Sequence, residues 1–397
     1  MGKKVIGRRD FMKSTLAGLG GFFFLPASGK KQEIRVAQTK GKERKFFYRT
    51  LGKTGLKLPV INMGVMTSDS PNLIRAALDS GILLLDTMGA RNEEVVRSAI
   101  KGRRRDSFFI SSKVSPAQDR RTGVYSQETT TEEFLKKLDL NLKRLGLDYV
   151  DILCHHGVSR RDSAQYEPVL RALEMAKKDG KFRFAGISTH SNEPEVIRAA
   201  IEAKAYDVIV TAYNSKQNHY AEVREAIAEA AQAGLGIMGI KSLQGGYRRG
   251  VPVKNAAASI KWVLQDPNVH TVIAGFTAFE EMNTDLDIIE APALTDGDKQ
   301  DLQKEALLRS HYCQGCRQCL GQCPEKLPIP DLMRAYMYTH DYRNLALAQD
   351  LVLSLNLPGR VCDNCSQCTV KCASGFNVAA KIRDMVRVRD IPSGVMA

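Results

Sequence analysis

Short apolar runs alternate with longer amphipathic segments eight times between residues 61 and 290 of this 397-residue chain. The apolar runs are continuous, which is typical of parallel strands that are covered on both faces. They predict strands at Ile61–Met66, Ile82–Thr87, Phe108–Val114, Val150–His156, Phe184–His190, Val208–Asn214, Gly236–Ser242 and Thr271–Thr277. Apolar spacing near 3.6 predicts helices at 72–80, 93–101, 131–145, 166–179, 194–204, 221–233, 256–265 and 280–289. Eight βα units over about 230 residues predict an α/β fold, the (β/α)8 TIM barrel.

The competing α/β architecture is an open, doubly wound sheet. Sheets of that kind that bind dinucleotides carry a Gly-x-Gly-x-x-Gly turn after the first strand. No such turn follows Ile61–Met66, so the barrel is the predicted fold.

Ionisable residues stand at the ends of three consecutive predicted strands. Asp86, Lys113 and His156 end strands two, three and four, and active sites of these barrels lie at that face. We therefore predict that the three side chains converge at one mouth. Each also has a structural interpretation, since a strand-end Asp often caps a helix and a single His is often a satisfied core residue. Cys154 shares the inward face with His156 and is predicted to be a packed, inert thiol.

Four segments carry a family resemblance: Leu85-Asp86-Thr87 with Arg91-Asn92-Glu93-Glu94, Ser112-Lys113-Val114, Asp148 through His156, and Gly186-Ile187-Ser188. With them, residues 46–290 resemble the aldo/keto reductase superfamily. The resemblance implies that NADPH delivers hydride to a carbonyl while a Tyr protonates it. It implies that Asp86 and Lys113 tune the Tyr and that His156 orients the carbonyl. It also implies that Ser188, Lys241 and Gly275 contact the cofactor.

The Tyr of that superfamily has no counterpart in this chain. The family pattern is Asp-Thr-Ala-x-x-Tyr-Gly, whereas Asp86 through Asn92 read Asp-Thr-Met-Gly-Ala-Arg-Asn. Three further positions depart from the family's cofactor contacts: Val210, Thr277 and Asp285. Without a phenol to acidify, Asp86 and Lys113 lack the partner that carbonyl reduction needs. Tyr125, in the loop after the third strand, is a candidate substitute.

Arginines occur in four loops predicted at the mouth: Arg120-Arg121, Arg160-Arg161, Arg248-Arg249 and Arg91. If they converge, they would attract a carboxylate, a phosphate or an acidic protein surface, because guanidinium forks suit those groups. The alternative is scattered, solvated charge. The formal net charge of +14 is compatible with anionic ligands or an acidic protein partner, and it does not by itself indicate nucleic-acid binding.

Eight of the nine cysteines form two compact motifs near the C-terminus. Cys313-x2-Cys316-x2-Cys319-x3-Cys323-Pro324 matches the bacterial ferredoxin run, and Cys362-x2-Cys365-x2-Cys368-x3-Cys372 repeats it. Three thiolates two residues apart bind three corners of a cube, and the fourth reaches the other cluster. Zinc sites use two pairs of ligands instead. We therefore predict two [4Fe–4S] clusters, one on Cys313, Cys316, Cys319 and Cys372 and the other on Cys362, Cys365, Cys368 and Cys323.

Two predicted helices, Ile329–Thr339 and Asn344–Leu355, lie between the cysteine motifs. Residues 309–390 therefore resemble a small, mainly helical dicluster ferredoxin rather than the β-containing type.

The N-terminus has the layout of an export signal. Basic residues ending in Arg8-Arg9-Asp10-Phe11-Met12-Lys13 precede the apolar stretch Ser14–Leu25 and the small residues Ala27-Ser28-Gly29. The paired arginines resemble a bacterial twin-arginine signal, and that route exports folded proteins, as a chain loaded with a metal cofactor requires. An amphipathic N-terminal anchor is the alternative. The twin-arginine signal predicts a periplasmic protein. No apolar run reaches about 18 residues, so we do not expect a polytopic membrane protein, and we expect no stable membrane insertion after cleavage.

The predicted organisation is a signal peptide at 1–29, a linker at 30–45, the barrel at 46–300 and a ferredoxin-like domain at 301–397. The predicted function is an exported oxidoreductase that passes electrons between two [4Fe–4S] clusters and a small molecule at the barrel mouth. Its expected partners are that substrate, for which an anion is one candidate, a redox protein and the export machinery, but no nucleic acid. NAD(P)H is the cofactor that the resemblance adds. The alternative is a barrel without reductase activity that acts as a scaffold for an electron-transfer module.

Overall fold

The central feature of the fold is a closed barrel of eight parallel strands. An antiparallel hairpin of β1 (Tyr48–Thr50) and β2 (Lys57–Pro59) precedes it. The barrel strands are β3 (Ile61–Gly64), β4 (Leu84–Asp86), β5 (Phe109–Val114), β6 (Val150–Val158), β7 (Phe182–Thr189), β8 (Val208–Ala212), β9 (Gly236–Ile240) and β10 (Thr271–Ala274). They pair in chain order, and β10 closes the barrel against β3. The predicted (β/α)8 barrel is confirmed.

This computed structural model describes residues 44–119, 122–243, 253–307, 312–358, 361–362, 365 and 368–392. The predicted signal peptide lies outside those residues, as do Arg120-Arg121 and Arg248-Arg249. Within them, no helix is long and apolar enough to cross a membrane.

The barrel strands alternate with helices that cover the outside of the sheet. The helices are α1 (Pro71–Asp79), α2 (Ala90–Ile100), α3 (Thr131–Leu145), α4 (Arg161–Ala164), α5 (Glu167–Lys178), α6 (Glu193–Ala203), α7 (Tyr220–Gln232), α8 (Val253–Leu264) and α9 (Phe279–Glu290). In α3 the Thr130 side chain accepts from the backbone N–H of Glu133, and Gly146 ends the helix in the left-handed conformation. Phe134 and Leu138 of this helix are fully buried in the layer between helices and sheet.

The barrel interior is a separate apolar core. Ile152, Cys154, Val210 and Met238 fill it together with Leu51 from the N-terminal hairpin. Cys154 is fully buried, and burial raises its pKa to about 12. The prediction that this thiol is packed is therefore confirmed. A thiol with such a pKa is almost wholly protonated at neutral pH, so its inertness stays a prediction that this environment favours.

The N-terminal hairpin lies at the end of the barrel where the strands begin. The backbone N–H of Lys53 donates to the carbonyl of Gly234 at 2.7 Å, just before β9 starts. The hairpin therefore covers that end and leaves the carboxyl ends of the strands to the C-terminal segment.

Four further helices form that C-terminal segment: α10 (Asp296–Leu307), α11 (Ile329–His340), α12 (Leu345–Ser354) and α13 (Val378–Arg387). α11 packs against both α12 and α13. The two helices predicted between the cysteine motifs are confirmed. The domain boundary predicted after residue 300 falls inside α10, because this helix continues from the barrel and packs on α8. The assignment of the segment as ferredoxin-like stays a prediction.

Candidate active site

Asp86 and Lys113 form a buried ion pair at the mouth of the barrel. Asp86 ends β4 and Lys113 lies near the end of β5, so neighbouring strands bring their side chains into contact. Lys113 Nζ donates to Asp86 Oδ1 and, at 3.0 Å, to the carbonyl of Thr87. Asp86 is 8% exposed and Lys113 is 7% exposed. Either charge alone would be desolvated without compensation, so each partner requires the other.

Two histidines lie beside this pair. His156 Nδ1 and Ser188 Oγ are 3.1 Å apart, because these residues are register partners across β6 and β7. His190, just after β7, packs edge-on against His156 with 5.3 Å between ring centroids. Ser188 is fully buried, so its hydroxyl orients His156.

Lys241, just after β9, contacts the C-terminal segment. Its Nζ donates to the hydroxyl of Tyr342 at 3.2 Å and lies 5.3 Å from the centre of that ring. Tyr342 follows α11, so the C-terminal segment completes the mouth. Burial, together with the charges of Arg334 and Lys113, lowers the pKa of Lys241 to about 7. Lys241 can therefore hold or release a proton at neutral pH.

The side chains at the mouth enclose a cavity of about 90 Å³, which we call the mouth cavity. Its lining includes Asp86, Lys113, His156, His190, Lys241, Gly275 and Tyr342. The structure thus brings together every barrel site residue that the sequence predicted except Ser188. The sequence analysis missed Tyr342, although Tyr338 and Tyr342 stand four residues apart soon after the first cysteine motif. Tyr342 lies beyond the end of the helix, so this spacing does not indicate which surface the two phenols contact.

Comparison with known proteins places this barrel in a family. Residues 62–256, from β3 to beyond β9, match the aldo/keto reductase family. The barrel is an aldo/keto reductase family domain. It is 31% identical over 163 residues to L-glyceraldehyde 3-phosphate reductase of Escherichia coli, which covers 37% of this chain and 46% of that relative. The chain thus spans about half the length of that curated relative.

Other relatives align over a longer span at lower identity. The uncharacterized oxidoreductase YqkF of Bacillus subtilis is 24% identical over 308 residues, 66% of this chain and 98% of that protein. An aldo-keto reductase from Bacillus halodurans in its holo form superposes with a TM-score of 0.53 at 22% identity. The superposition covers 66% of this chain and 96% of that protein, which shows that the two share a fold.

The aldo/keto reductase domain contributes no phenol to its own mouth among the described residues. Asn92, at the shortened segment, instead donates through Nδ2 to the carbonyls of Val65 and Met66 at 3.1 and 3.2 Å. Tyr125 hydrogen-bonds His155 Nε2 and packs edge-on against Tyr166. Burial raises its pKa, and it lines neither cavity at the mouth. The hypothesis that Tyr125 substitutes for the family Tyr is wrong.

Of the three predicted arginine pairs, only Arg160-Arg161 lies within the described residues, and both of its side chains form ion pairs at the surface. Arg160 Nε donates to Asp162 at 2.8 Å, and Arg161 pairs with Glu202. Scattered, solvated charge is therefore the correct interpretation for this pair. Arg120-Arg121, Arg248-Arg249 and the side chain of Arg91 lie outside the described residues.

A larger cavity of about 250 Å³ lies between the aldo/keto reductase domain and the C-terminal helices, and we call it the interdomain chamber. Its barrel wall includes His156, His190 and Ser191, and its C-terminal wall includes Arg317, Asp331, Arg334 and Tyr338. His156 and His190 also line the mouth cavity, so the two cavities share part of one wall. The guanidinium groups here come from the C-terminal segment, a source that the sequence analysis did not identify.

The thiols of the two cysteine motifs interact electrostatically in two groups. Burial and the neighbouring thiols of Cys319, Cys316 and Cys372 raise the pKa of Cys313 to about 12. Burial and the thiols of Cys365, Cys323 and Cys368 raise the pKa of Cys362 to about 11. Each group takes three thiols from one motif and one from the other, so this donor set fits the crossed ligand pattern of two cubic clusters.

One backbone hydrogen bond reaches a thiol of the first motif. The backbone N–H of Gly315 donates to Cys313 Sγ at 3.4 Å, a hydrogen bond of the kind that would tune the potential of a cluster if one were bound there. Among the described residues, no group of three or more His, Cys, Asp or Glu side chains is placed to hold a single metal ion.

The described residues do not fit a nicotinamide dinucleotide at the mouth. Of the three residues expected to contact it, Ser188 is fully buried on His156 and Lys241 is bonded to Tyr342. Gly275 lines a cavity of only about 90 Å³, whereas small-molecule sites have roughly 300 to 1,000 Å³. Tyr342 occupies the space beside Lys241, so this arrangement of the aldo/keto reductase domain offers no room for a cofactor ring there.

Proposed function

We propose that this chain is an exported iron–sulfur oxidoreductase of the aldo/keto reductase type. It would pass electrons between two [4Fe–4S] clusters and a small molecule at the barrel mouth. The observation that carries the proposal is the contact between the first cysteine motif and the mouth. A Cβ on Gly315, between two of the proposed ligands, would lie 2.4 Å from the carbonyl oxygen of His190. Asn214, just after β8, donates through Nδ2 to Gln314 Oε1 at 3.0 Å.

The two thiol groups differ in their surroundings. Arg317, inside the first motif, lines the interdomain chamber, whereas Cys365 and Cys368 of the second motif are exposed to solvent. The first group therefore faces the small molecule, and the second lies where a redox protein partner can approach. When bound, the clusters supply electrons one at a time.

The proposed catalytic residues of the barrel are Asp86, Lys113 and His156. The Asp86–Lys113 pair holds a fixed positive charge on Nζ near the cavity, and Ser188 orients the His156 ring. The C-terminal helices cover the mouth and exclude water, which strengthens these electrostatic interactions. Lys241 Nζ donates to the Tyr342 hydroxyl at 3.2 Å, and its pKa of about 7 lets it hold or release a proton at neutral pH. No step in this proposal uses NAD(P)H.

The proposal includes export to the periplasm by the twin-arginine route. The Arg8-Arg9-Asp10-Phe11-Met12-Lys13 segment supports this route. The route also suits the proposed clusters, because they would have to be inserted before export and this route exports folded proteins.

The test is the metal content of full-length protein purified without oxygen. We expect about eight irons and eight acid-labile sulfides per chain. The Cys154→Ser variant is the control and should keep this iron and sulfide content, because its thiol is buried in the barrel and belongs to neither group. Dithionite should bleach the visible absorbance, whereas NADH and NADPH should not. Recovery of zinc in place of iron would overturn the proposal.

A second candidate function is a barrel without reductase activity that serves as a scaffold for the electron-transfer module. The absence of a barrel phenol from the described mouth favours it, and so does the closure of the mouth by Tyr342. Substrate-dependent cluster oxidation, discussed below with the variants of Asp86 and Lys113, distinguishes this candidate from the first.

A further inference from the structure

The interdomain chamber is larger than the mouth cavity, and it has walls from both parts of the chain. Its volume is about 250 Å³, which is somewhat below the roughly 300 to 1,000 Å³ of sites for drug-sized ligands. A molecule of a few heavy atoms would fit. Such a molecule would touch His156 and His190 on one side and the first cysteine motif, through Arg317, on the other.

Cationic side chains are in excess within the inner wall of the chamber. Arg334 Nη1 lies 3.4 Å from Asp331 Oδ1, and the same carboxylate also interacts electrostatically with Arg317. Two guanidinium groups therefore share one inner carboxylate. The other acidic residue of the lining, Asp350, is exposed at the rim. Arg334 also interacts electrostatically with Cys313 and with the buried carboxylate of Glu193. It is therefore the shape of the two guanidinium forks in one cavity wall, rather than an uncompensated charge, that suits an oxyanion.

A second observation also indicates a ligand in this cavity. His190 Nδ1 is buried and has no hydrogen-bond partner among the described residues. Buried polar atoms are usually paired, and the His190 side chain belongs to the wall of this chamber, so a ligand that enters it is a candidate partner for this nitrogen. His190 lies at the junction of the chamber, the mouth cavity and the first cysteine motif.

We propose that the interdomain chamber binds a small oxyanion-bearing molecule, such as a short carboxylate, through Arg317, Arg334 and the Nδ1 atom of His190. This inference rests on the proposed function, because it names the chemical class of the small molecule at the mouth. The guanidinium groups hold the oxyanion and His190 contacts a second polar atom. The remainder of the molecule then extends towards His156 and the mouth cavity.

Binding can be measured without electron transfer. Oxygen-free holoprotein is titrated with pyruvate and, separately, with inorganic phosphate in a calorimeter at constant ionic strength. We expect saturable binding of at least one probe, with a Kd raised at least tenfold in Arg317→Gln, in Arg334→Gln and in His190→Phe. The matched control is Arg161→Gln, an exposed arginine paired with Glu202 outside the chamber, which should bind as the unmodified protein does.

Three variants keep the test decisive even if one of them fails to fold. Iron content and circular dichroism identify the variants that retain the holoprotein fold. An unchanged Kd in the folded variants would overturn the proposal, as would the absence of binding by either probe to holoprotein with full iron content. If binding follows the expected pattern but the iron is missing, the proposed function fails and this site remains.

Discussion

Lys241 Nζ lies 3.2 Å from the hydroxyl of Tyr342, and this contact joins the end of β9 to the segment after α11. The two residues are 101 positions apart in the chain. Through this contact the C-terminal segment becomes part of the barrel mouth. The position of the Tyr342 ring at the mouth and the lowered pKa of Lys241, about 7, both result from the packing of the C-terminal segment on the barrel.

Tyr342→Phe should destabilise the contact between the two parts of the chain. The change removes the hydroxyl that accepts from Lys241 and leaves a buried donor without this partner, at a cost of about 1–3 kcal/mol. The measurement is denaturant unfolding at pH 7. Tyr220→Phe, at an exposed tyrosine on the barrel, should change stability little. Equal stability of the two variants would contradict the prediction.

Asp86 and Lys113 should behave as a coupled pair. Lys113→Met leaves a buried carboxylate, and Asp86→Asn leaves a buried ammonium group, so each should cost about 3–5 kcal/mol. The double variant removes both charges and should recover most of that loss. Thermal unfolding of the three variants, checked by iron content, measures this coupling.

The same variants address chemistry at the mouth. If the pair also serves catalysis, the double variant should be stable yet inactive in oxidising the reduced clusters with substrate. A double variant as active as the unmodified protein would show that the pair is structural only, and an unmodified protein without substrate-dependent cluster oxidation would favour the scaffold alternative.

Cys372→Ser and Cys323→Ser should affect different clusters. Each substitution removes the one thiol that its group takes from the other motif, so each should lose about four irons. Electron paramagnetic resonance of the reduced proteins should show a different remaining signal in each variant. The same remaining signal in both would contradict the crossed ligand pattern.

Glu93→Gln should change the pH dependence of stability. Burial raises the pKa of Glu93 from 4.5 to about 7, and its Oε2 has no hydrogen bond among the described residues. Between those values the unfolded chain loses this proton and the folded chain keeps it, so stability falls as pH rises from about 4.5 to 7. The variant lacks this loss and should match the unmodified protein near pH 4.5 but exceed it at pH 8, by up to about 3 kcal/mol.

Thermal unfolding across that pH range checks the Glu93 prediction. Glu94→Gln is the control, since this neighbouring carboxylate is exposed and should leave the pH profile unchanged. A Glu93→Gln variant that is less stable at pH 8 than at pH 4.5, by as much as the unmodified protein, would disprove the assignment.

Arg8→Lys combined with Arg9→Lys should retain the protein in the cytoplasm. The charge and hydrophobicity of the segment are unchanged, but the paired arginines that the export receptor reads are lost. Cell fractionation measures the location. Lys3→Arg with Lys4→Arg, a charge-conserving change outside the motif, should be exported normally. Undiminished export of the Arg8 and Arg9 variant would exclude the twin-arginine route.

Much of the fold and part of the site could be predicted because the signals are local. Strand and helix periodicity needs only neighbouring residues, and it predicted the barrel. Asp86, Lys113 and His156 could be placed at one mouth because all strands of a parallel barrel end on the same face. The spacing of the cysteines likewise predicts two crossed groups, since a cube constrains residues two and three positions apart.

The partners of these side chains depended on tertiary packing. Ser188 was expected to face a cofactor, but the register of β6 and β7 places it beside His156. Tyr125 was a candidate phenol until its loop placed it on His155. Neither outcome follows from the local sequence, because both depend on which side chain occupies the neighbouring volume.

By itself, the sequence determined the barrel, the ionisable residues at its strand ends and the two cysteine motifs. Only the tertiary structure decided that the C-terminal helices cover the mouth and bring Tyr342, Arg334 and Arg317 to it. The physical reason is that docking depends on the shape and charge of two assembled surfaces. The residues on those surfaces are distant in the chain, so no local pattern records which of them meet.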